Sequence, residues 1–505
     1  MKPASHLKNL DSAIAAVMGF LAIYLFTRYS GVGISYDSVM YASTANNLQA
    51  HGSLVAFDKL PLACFPVFYP FFLGLIQFIT NVDPFRAGTV INGILFASVI
   101  FLSGWIIEKF SSYQKIYKWF ILVGVLVSPA LIEIYTYLWS ETLFVLEILL
   151  FIMAYRYYLQ SHTLKWLVVA ATVTAIACVT RYVGVTIIAT GCLLLLLDSA
   201  LSISKKAGHI LLFAGISMSL LLGNMVKNKL ATSFSTGYAT PSVTSFSKNL
   251  YYFGTVMCDW GNLKTGKYLY PYSIAIACIL LLTLIIVFFC KAYQHKISYQ
   301  VVMIAFIPIF SLFVIITSSI HKIDQINNRL LSPIYIPLLI VSTSWIPDTL
   351  TKIKANFKVI ITGLVIIMMF AFAYSNLKAD LQRYHYEYNY GIPGYNSDDW
   401  NKTEIVTWLR KNKNTFNRQI PIYTDAHEAV YAYTNLSSQL VPYAFNSDEI
   451  KKFYNKKHFY VIWFNSLYNT GLINLPDILK NTKLTKVETF KEGAVYLYDE
   501  PVKQP

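Results

Sequence analysis

The stretch Gly33-Ile-Ser-Tyr-Asp37-Ser-Val-Met-Tyr41, running on through Ala42-Ser-Thr-Ala-Asn46-Asn-Leu48 to His51-Gly52, decides how the rest of the chain is read. It follows the first long apolar run, Ala13 to Phe26, and is itself too polar to cross a bilayer. Its residues favour a short helix that Asp37 opens and Gly52 closes in a left-handed conformation. Asp37 and Tyr41 stand four apart and so share a helix face. A carboxylate at a helix start either caps the helix or is placed to take a proton from an alcohol or amine.

Outward from this stretch the apolar residues come in long blocks. The 505 residues are 55% hydrophobic and 13% charged, against roughly 25% charged in soluble domains. This composition specifies a polytopic α-helical membrane protein. Eleven spans are expected, at 12–29, 85–108, 117–136, 139–157, 165–180, 182–198, 207–225, 272–290, 299–319, 330–347 and 357–375. Pro66 to Thr80 is expected to lie as a helix on the outer surface, because its ~15 residues reach only ~22 Å of a ~30 Å hydrocarbon core. With that segment outside the count, the loops carrying Lys109/Lys115/Lys118, Arg156/Lys165, Lys205/Lys206, Lys291/Lys296 and Lys352/Lys354/Lys358 all fall on the N-terminal side. Basic loops mark the cytoplasm, so the N-terminus is expected there as an uncleaved signal anchor. Segments 30–84, 226–271, 320–329 and everything past about residue 376 are then extracytoplasmic.

The net charge of +15 does not point to nucleic acid: from Lys378 onward 16 basic residues face 14 acidic ones, so the excess sits between apolar blocks and reports orientation. All six cysteines are read as packing residues, since no pair has metal-ligand spacing. The expected organisation is a membrane domain over 1–375, including the first outer loop 30–84, and a small extracytoplasmic α/β domain over 376–505. In the latter, helices are expected at Thr403–Asn412, Ala426–Tyr433 and Asp448–Tyr454, and strands at Ile420–Thr424, Phe459–Phe464 and Val495–Tyr498.

Ionisable residues gather at the outer ends of spans. Lys59 precedes Leu60-Pro61, Tyr69 lies in Phe65-Pro66-Val-Phe-Tyr69-Pro70, Ser140-Glu141 opens the fourth span, Arg181 follows Thr180, and Arg329-Leu-Leu-Ser-Pro333 opens the tenth. Charge at membrane depth is costly and marks function with a partner nearby. No His, Cys and carboxylate set has ligand spacing, so neither a metal nor a cofactor is expected; Asp37 and Glu141 are the carboxylates that could share a divalent ion.

Taken together, the Asp-Ser-x-x-x-Tyr start with its Asn-x-Leu-x-x-x-Gly tail, the Phe-Pro-x-x-Tyr-Pro segment, Ser140-Glu141, Thr180-Arg181-Tyr182 and Arg329 to Pro333 resemble the GT-C membrane glycosyltransferases. The closest likeness is to the group of the protein O-mannosyltransferases (the dolichyl-phosphate-mannose-protein mannosyltransferase family) and the lipid A aminoarabinose transferases. Ile405-Val-Thr-Trp-Leu409, Ile422-Tyr-Thr-Asp425 and Ala494-Val-Tyr-Leu-Tyr498 are similar to that group's outer domain. The resemblance implies inverting transfer of a sugar from a polyprenyl-phosphate donor to a lipid, glycan or protein acceptor, on the outer face of a bacterial inner membrane. It implies Asp37 as catalytic base, with Tyr41, Lys59, Tyr69, Glu141, Arg181 and Arg329 binding substrate. Many members carry a second acid directly after the base, where this chain has Ser38; Glu141 or Glu133 would have to supply one. The alternative is a transporter or flippase of lipid-linked sugars. That class needs related halves or broken helices facing the midplane, and the sequence shows no such repeat. Eleven spans also exceed what anchoring a binding module requires.

Overall fold

The computed structural model describes residues 9–110, 115–237, 239–263, 272–293, 298–347, 355–465 and 471–499. Lys296, Lys352 and Lys354, counted above for orientation, lie outside them. The chain forms two compact units. One, the helical unit, comprises Met1–Arg28, Ala63–Tyr69 and Gly88–Tyr386; the other, the sheet unit, comprises Tyr29–Leu62, Pro70–Ala87 and Glu387–Pro505.

Among the described residues eight helices are long and apolar enough to span a membrane: Leu10–Thr27, Pro84–Ile107, Glu141–Ser161, Ile203–Thr232, Ser273–Ala292, Tyr299–Ile320, Asn328–Pro347 and Val359–Tyr390. The protein is an integral membrane protein. The segment read as one span at 117–136 is broken: Lys115–Leu126 and Pro129–Thr136 meet at 47°. Pro129 has no N–H to continue the ladder, and Ser128 caps the new helix by accepting from Leu131 N at 3.3 Å. Two further expected spans are short. Leu164–Thr180 has 17 residues and Val185–Leu197 has 13, reaching about 25 and 20 Å. They are joined by a single 3₁₀ turn at Tyr182–Gly184. Gly184 permits so tight a return, since a Cβ there would lie 2.7 Å from Ala177 O. The last helix runs from Ala355 to Tyr390, 36 residues, well past the end expected at 375.

One buried charge in the helical unit is neutralised by pairing. Lys118, with no side-chain exposure, lies 2.5 Å from Asp11 and also pairs with Glu108. The reading of the cysteines as packing residues holds for buried Cys178 and Cys258, whereas Cys64, Cys278 and Cys290 are exposed.

The sheet unit is built on five strands: β1 Ile422–Thr424, β2 Gln439–Leu440, β3 His458–Phe464, β4 Thr485–Phe490 and β5 Gly493–Asp499. Their order is β2-β1-β3-β5-β4, with β1 parallel to β2 and β3, and β5 antiparallel to β3 and β4. Alternate residues of β3 feed two cores. Ile462 packs with Ile405, Leu409, Val430 and Val495 on one face; Val461 packs with Val441, Phe453, Ile478 and Tyr496 on the other. The helices at Glu404–Asn412, His427–Thr434 and Ser447–Tyr454 stand where the sequence places them. The sequence reading missed β2, β4 and the helix Leu475–Asn481.

Candidate active site

Asp37 sits in the helix Tyr36–His51, but it does not cap it. Ser35 is the cap: its hydroxyl accepts from Ser38 N, and the Ser38 hydroxyl accepts from Ser35 N at 3.1 Å. The two serines satisfy the first orphan amides between them. Asp37, one residue inside the helix and half-buried, is therefore not consumed by capping, and helix-terminal N–H dipoles stabilise its charge. Gly52 closes the helix at φ 64°, its N–H bonded to Leu48 O.

The approach to Asp37 is held by residues some 360 positions away. Asn396, buried, donates from Nδ2 to Ser30 O at 2.8 Å and to Val32 O at 2.5 Å, and its Oδ1 accepts from Ile34 N at 3.1 Å. Tyr395 N donates to Ile34 O at 2.9 Å. Gly394 adopts φ +132°, and a side chain there would strike Ile34 O. This clasp fixes three peptides in a row just ahead of the helix. Behind it the ring of His427 stacks on Tyr36 at 6.3 Å between centroids and meets Phe57 edge-on at 4.8 Å. Burial lowers the His427 pKa, keeping it neutral against the opposing pull of Glu428. Tyr41 is buried, and Lys59 is exposed in a turn with its own φ at 64°.

The helical unit holds a second constellation. Glu141, wholly buried, has Arg329 Nε 2.6 Å from Oε1 and Arg181 Nη1 2.7 Å from Oε2, the latter an ion pair without hydrogen-bond alignment. Arg181 Nη1 donates to Ser140 Oγ at 2.9 Å, while its buried Nε has no hydrogen-bond partner among the described residues. The Arg329 guanidinium lies 4.0 Å from the centre of the Trp139 ring, which stacks on Tyr137. Tyr69 is fully buried, with its hydroxyl interacting with Thr142 and in the field of Glu141. Glu141 is thus a counter-ion to two arginines. Two cations against one anion leave net positive charge, which suits an anionic ligand. Among the described residues no group of three or more His, Cys, Asp or Glu side chains is placed to hold a metal ion.

Sequence reasoning named Asp37, Glu141, Arg181 and Arg329 singly. It missed Asn396, Gly394 and His427; the pair of glycines in Gly391-Ile-Pro-Gly394, both at positive φ, was the only local signal.

No protein-family model and no curated protein sequence matches the chain. Its fold, however, is similar to that of a solved membrane protein. The structure superposes on ArnT from Cupriavidus metallidurans in the apo state with a TM-score of 0.60 at 11% identity, covering 98% of each chain. It superposes on the same protein bound to undecaprenyl phosphate with a TM-score of 0.56 at 12% identity, covering 99% of this chain and 100% of that one. ArnT is a GT-C superfamily membrane glycosyltransferase, and the likeness read from the sequence therefore holds at the level of fold, along the whole chain.

Proposed function

We propose that the protein is a glycosyltransferase that moves a sugar from a polyprenyl-phosphate donor to an acceptor on the extracytoplasmic face of a bacterial inner membrane. The observation that carries this reading is the full-length fold likeness to ArnT, which in one of those structures is bound to undecaprenyl phosphate. Two features of this chain agree with it. The helical unit has an apolar groove of about 470 Å³ lined by residues such as Phe120, Met257, Ile276, Leu339, Met369 and Phe372, a surface suited to an isoprenoid tail. Arg181 and Arg329 are cations of the kind that a phosphate leaving group needs.

In this reading the acceptor oxygen or nitrogen attacks the anomeric carbon from the face opposite the phosphate, and configuration inverts. Asp37 takes the acceptor's proton. The bond between the anomeric carbon and the phosphate oxygen breaks, and its electron pair leaves on the phosphate, whose charge a cation offsets. A phosphate is a good enough leaving group to need no paired general acid of the glycosidase type.

The test is transfer of radiolabelled sugar from membrane lipid into product. Asp37→Asn keeps the size of the side chain and leaves the Ser35/Ser38 cap intact, so the protein should accumulate normally. Transfer is expected to fall by about 10²-fold or more, with labelled polyprenyl-phosphate sugar building up. Undiminished transfer would remove Asp37 from the chemistry.

A further inference from the structure

The sheet unit carries a groove of about 690 Å³ that the chemistry above does not use. Its walls come from the turn holding Asp58 and Leu60, from the edge strand β2 with Gln439 and Leu440, and from the helix Ser447–Tyr454 with Glu449 and Lys452. Phe453 and Tyr423 form part of the floor, packed edge to face at 4.8 Å. His427, the ring that stacks on Tyr36, the residue directly before Asp37, is also part of the lining.

The size falls within the roughly 300–1,000 Å³ of small-molecule sites. The lining is unlike that of a lipid-tail site, because acid, amide and ammonium groups alternate around an apolar floor. Among the described residues, the side chains of Gln439, Glu449, Lys452, Asn455 and Lys456 make no hydrogen bond to the protein, whereas Asp58 Oδ1 accepts from Leu60 N at 2.9 Å and His427 Nε2 lies 3.4 Å from Glu428 Oε2. Two carboxylates against two lysines leave the groove without net charge, which disfavours a bare phosphate. Uncommitted donors and acceptors over carbon-rich walls match a molecule with hydroxyls around its edge and C–H faces above and below. That molecule is a sugar.

We propose that this groove is a carbohydrate subsite that binds a neutral or zwitterionic glycan segment of the acceptor, with His427 the lining residue that touches the helix of Asp37. The inference rests on the transferase reading and adds to it the acceptor's class: a glycan-bearing molecule held through its sugars.

The probe is a panel of fluorescently labelled trisaccharides, built from hexose, N-acetylhexosamine and amino-sugar units, titrated onto the full chain in lipid nanodiscs. At least one should bind saturably. The exposed double change Gln439→Ala with Glu449→Ala should weaken it about tenfold or more, the loss expected for two sugar hydrogen bonds. Asn455→Trp, which fills the groove, should do the same, while Lys486→Ala on β4 should not. Failure of every trisaccharide to bind, binding indifferent to the groove changes, or displacement of the sugar by inorganic phosphate would overturn the subsite. The two readings separate cleanly. Sugar binding that depends on the groove in a protein whose transfer survives Asp37→Asn keeps the subsite and removes the base; transfer that depends on Asp37 without sugar binding does the reverse.

Discussion

Glu141, in the helical unit, is buried between two guanidiniums, whereas Asp425, in the sheet unit, is almost as deeply buried against a main-chain N–H and a hydroxyl. The Asp425 carboxyl accepts from Phe464 N at 3.0 Å and from Thr424 at 3.4 Å, with no cation paired to it among the described residues. Burial pushes its pKa from 3.8 up to about 7, and these neutral donors only partly oppose the shift. A buried acid has two ways to escape the cost of an isolated charge: acquire a counter-charge or acquire a proton. Glu141 has the first and Asp425 the second. The rule follows the partner and not the unit, since Glu147, in the same helix as Glu141, has among the described residues only the Thr180 hydroxyl as hydrogen-bond partner, at 2.7 Å.

The hardest blow to this contrast comes from Glu141→Gln. It leaves two arginines without their anion in a buried site, a loss on the order of 3–5 kcal/mol. The folded fraction recovered in mild detergent should collapse, and a melting temperature within about 2 °C of the native protein would show that the arginines never depended on Glu141.

Asp425→Asn should act in the opposite direction. The folded state holds a proton on Asp425 that the unfolded chain releases above its ordinary pKa, so stability falls as pH rises from about 4 to about 7 and is level beyond. Asparagine keeps the acceptor for Phe464 N–H and carries no charge. At pH 8 the variant should be the more stable by roughly 2–4 kcal/mol, and near pH 4 the two should melt together. Melting curves of the full chain at both pH values decide this; a native protein equally stable at both would mean that Asp425 is ionised without penalty.

The smallest effect on stability, with the sharpest readout, belongs to Asn396→Ala. Losing the clasp's side-chain bonds should cost about 1–2 kcal/mol. Transfer should nevertheless drop far more than the melting temperature implies, because the peptides leading to Asp37 lose their alignment. A fall in activity no larger than the loss of folded protein would reduce the clasp to scaffolding.

Much of this architecture was legible from residue patterning. Long apolar blocks specify the membrane helices, and the short β-prone apolar run of β3 and the amphipathic pattern of Glu404–Asn412 were enough to place those elements. What stayed hidden was of two kinds. β2 has only two residues and β4, Thr-Lys-Val-Glu-Thr-Phe, is an exposed edge strand, so neither shows the apolar signal by which strands are found. The other kind is pairing at a distance. Asp37, Glu141, Arg181 and Arg329 each stood out as charge near a membrane, yet nothing local says that Glu141 belongs to Arg329, 188 residues on. Ser35 was overlooked as the cap because Asp37 offered a stronger-looking one two residues later.

The clasp also sets a clock. Ser30 and Asn396 are 366 residues apart, and at about 5–20 residues per second roughly 20 to 70 s of synthesis separate the first from the second. The helix bearing Asp37 is among the earliest segments made, yet its leading peptides acquire their partners only near the end of translation. A nascent or prematurely terminated chain therefore inserts its spans with the candidate base still unaligned. Competence is conferred last, once the sheet unit has been made.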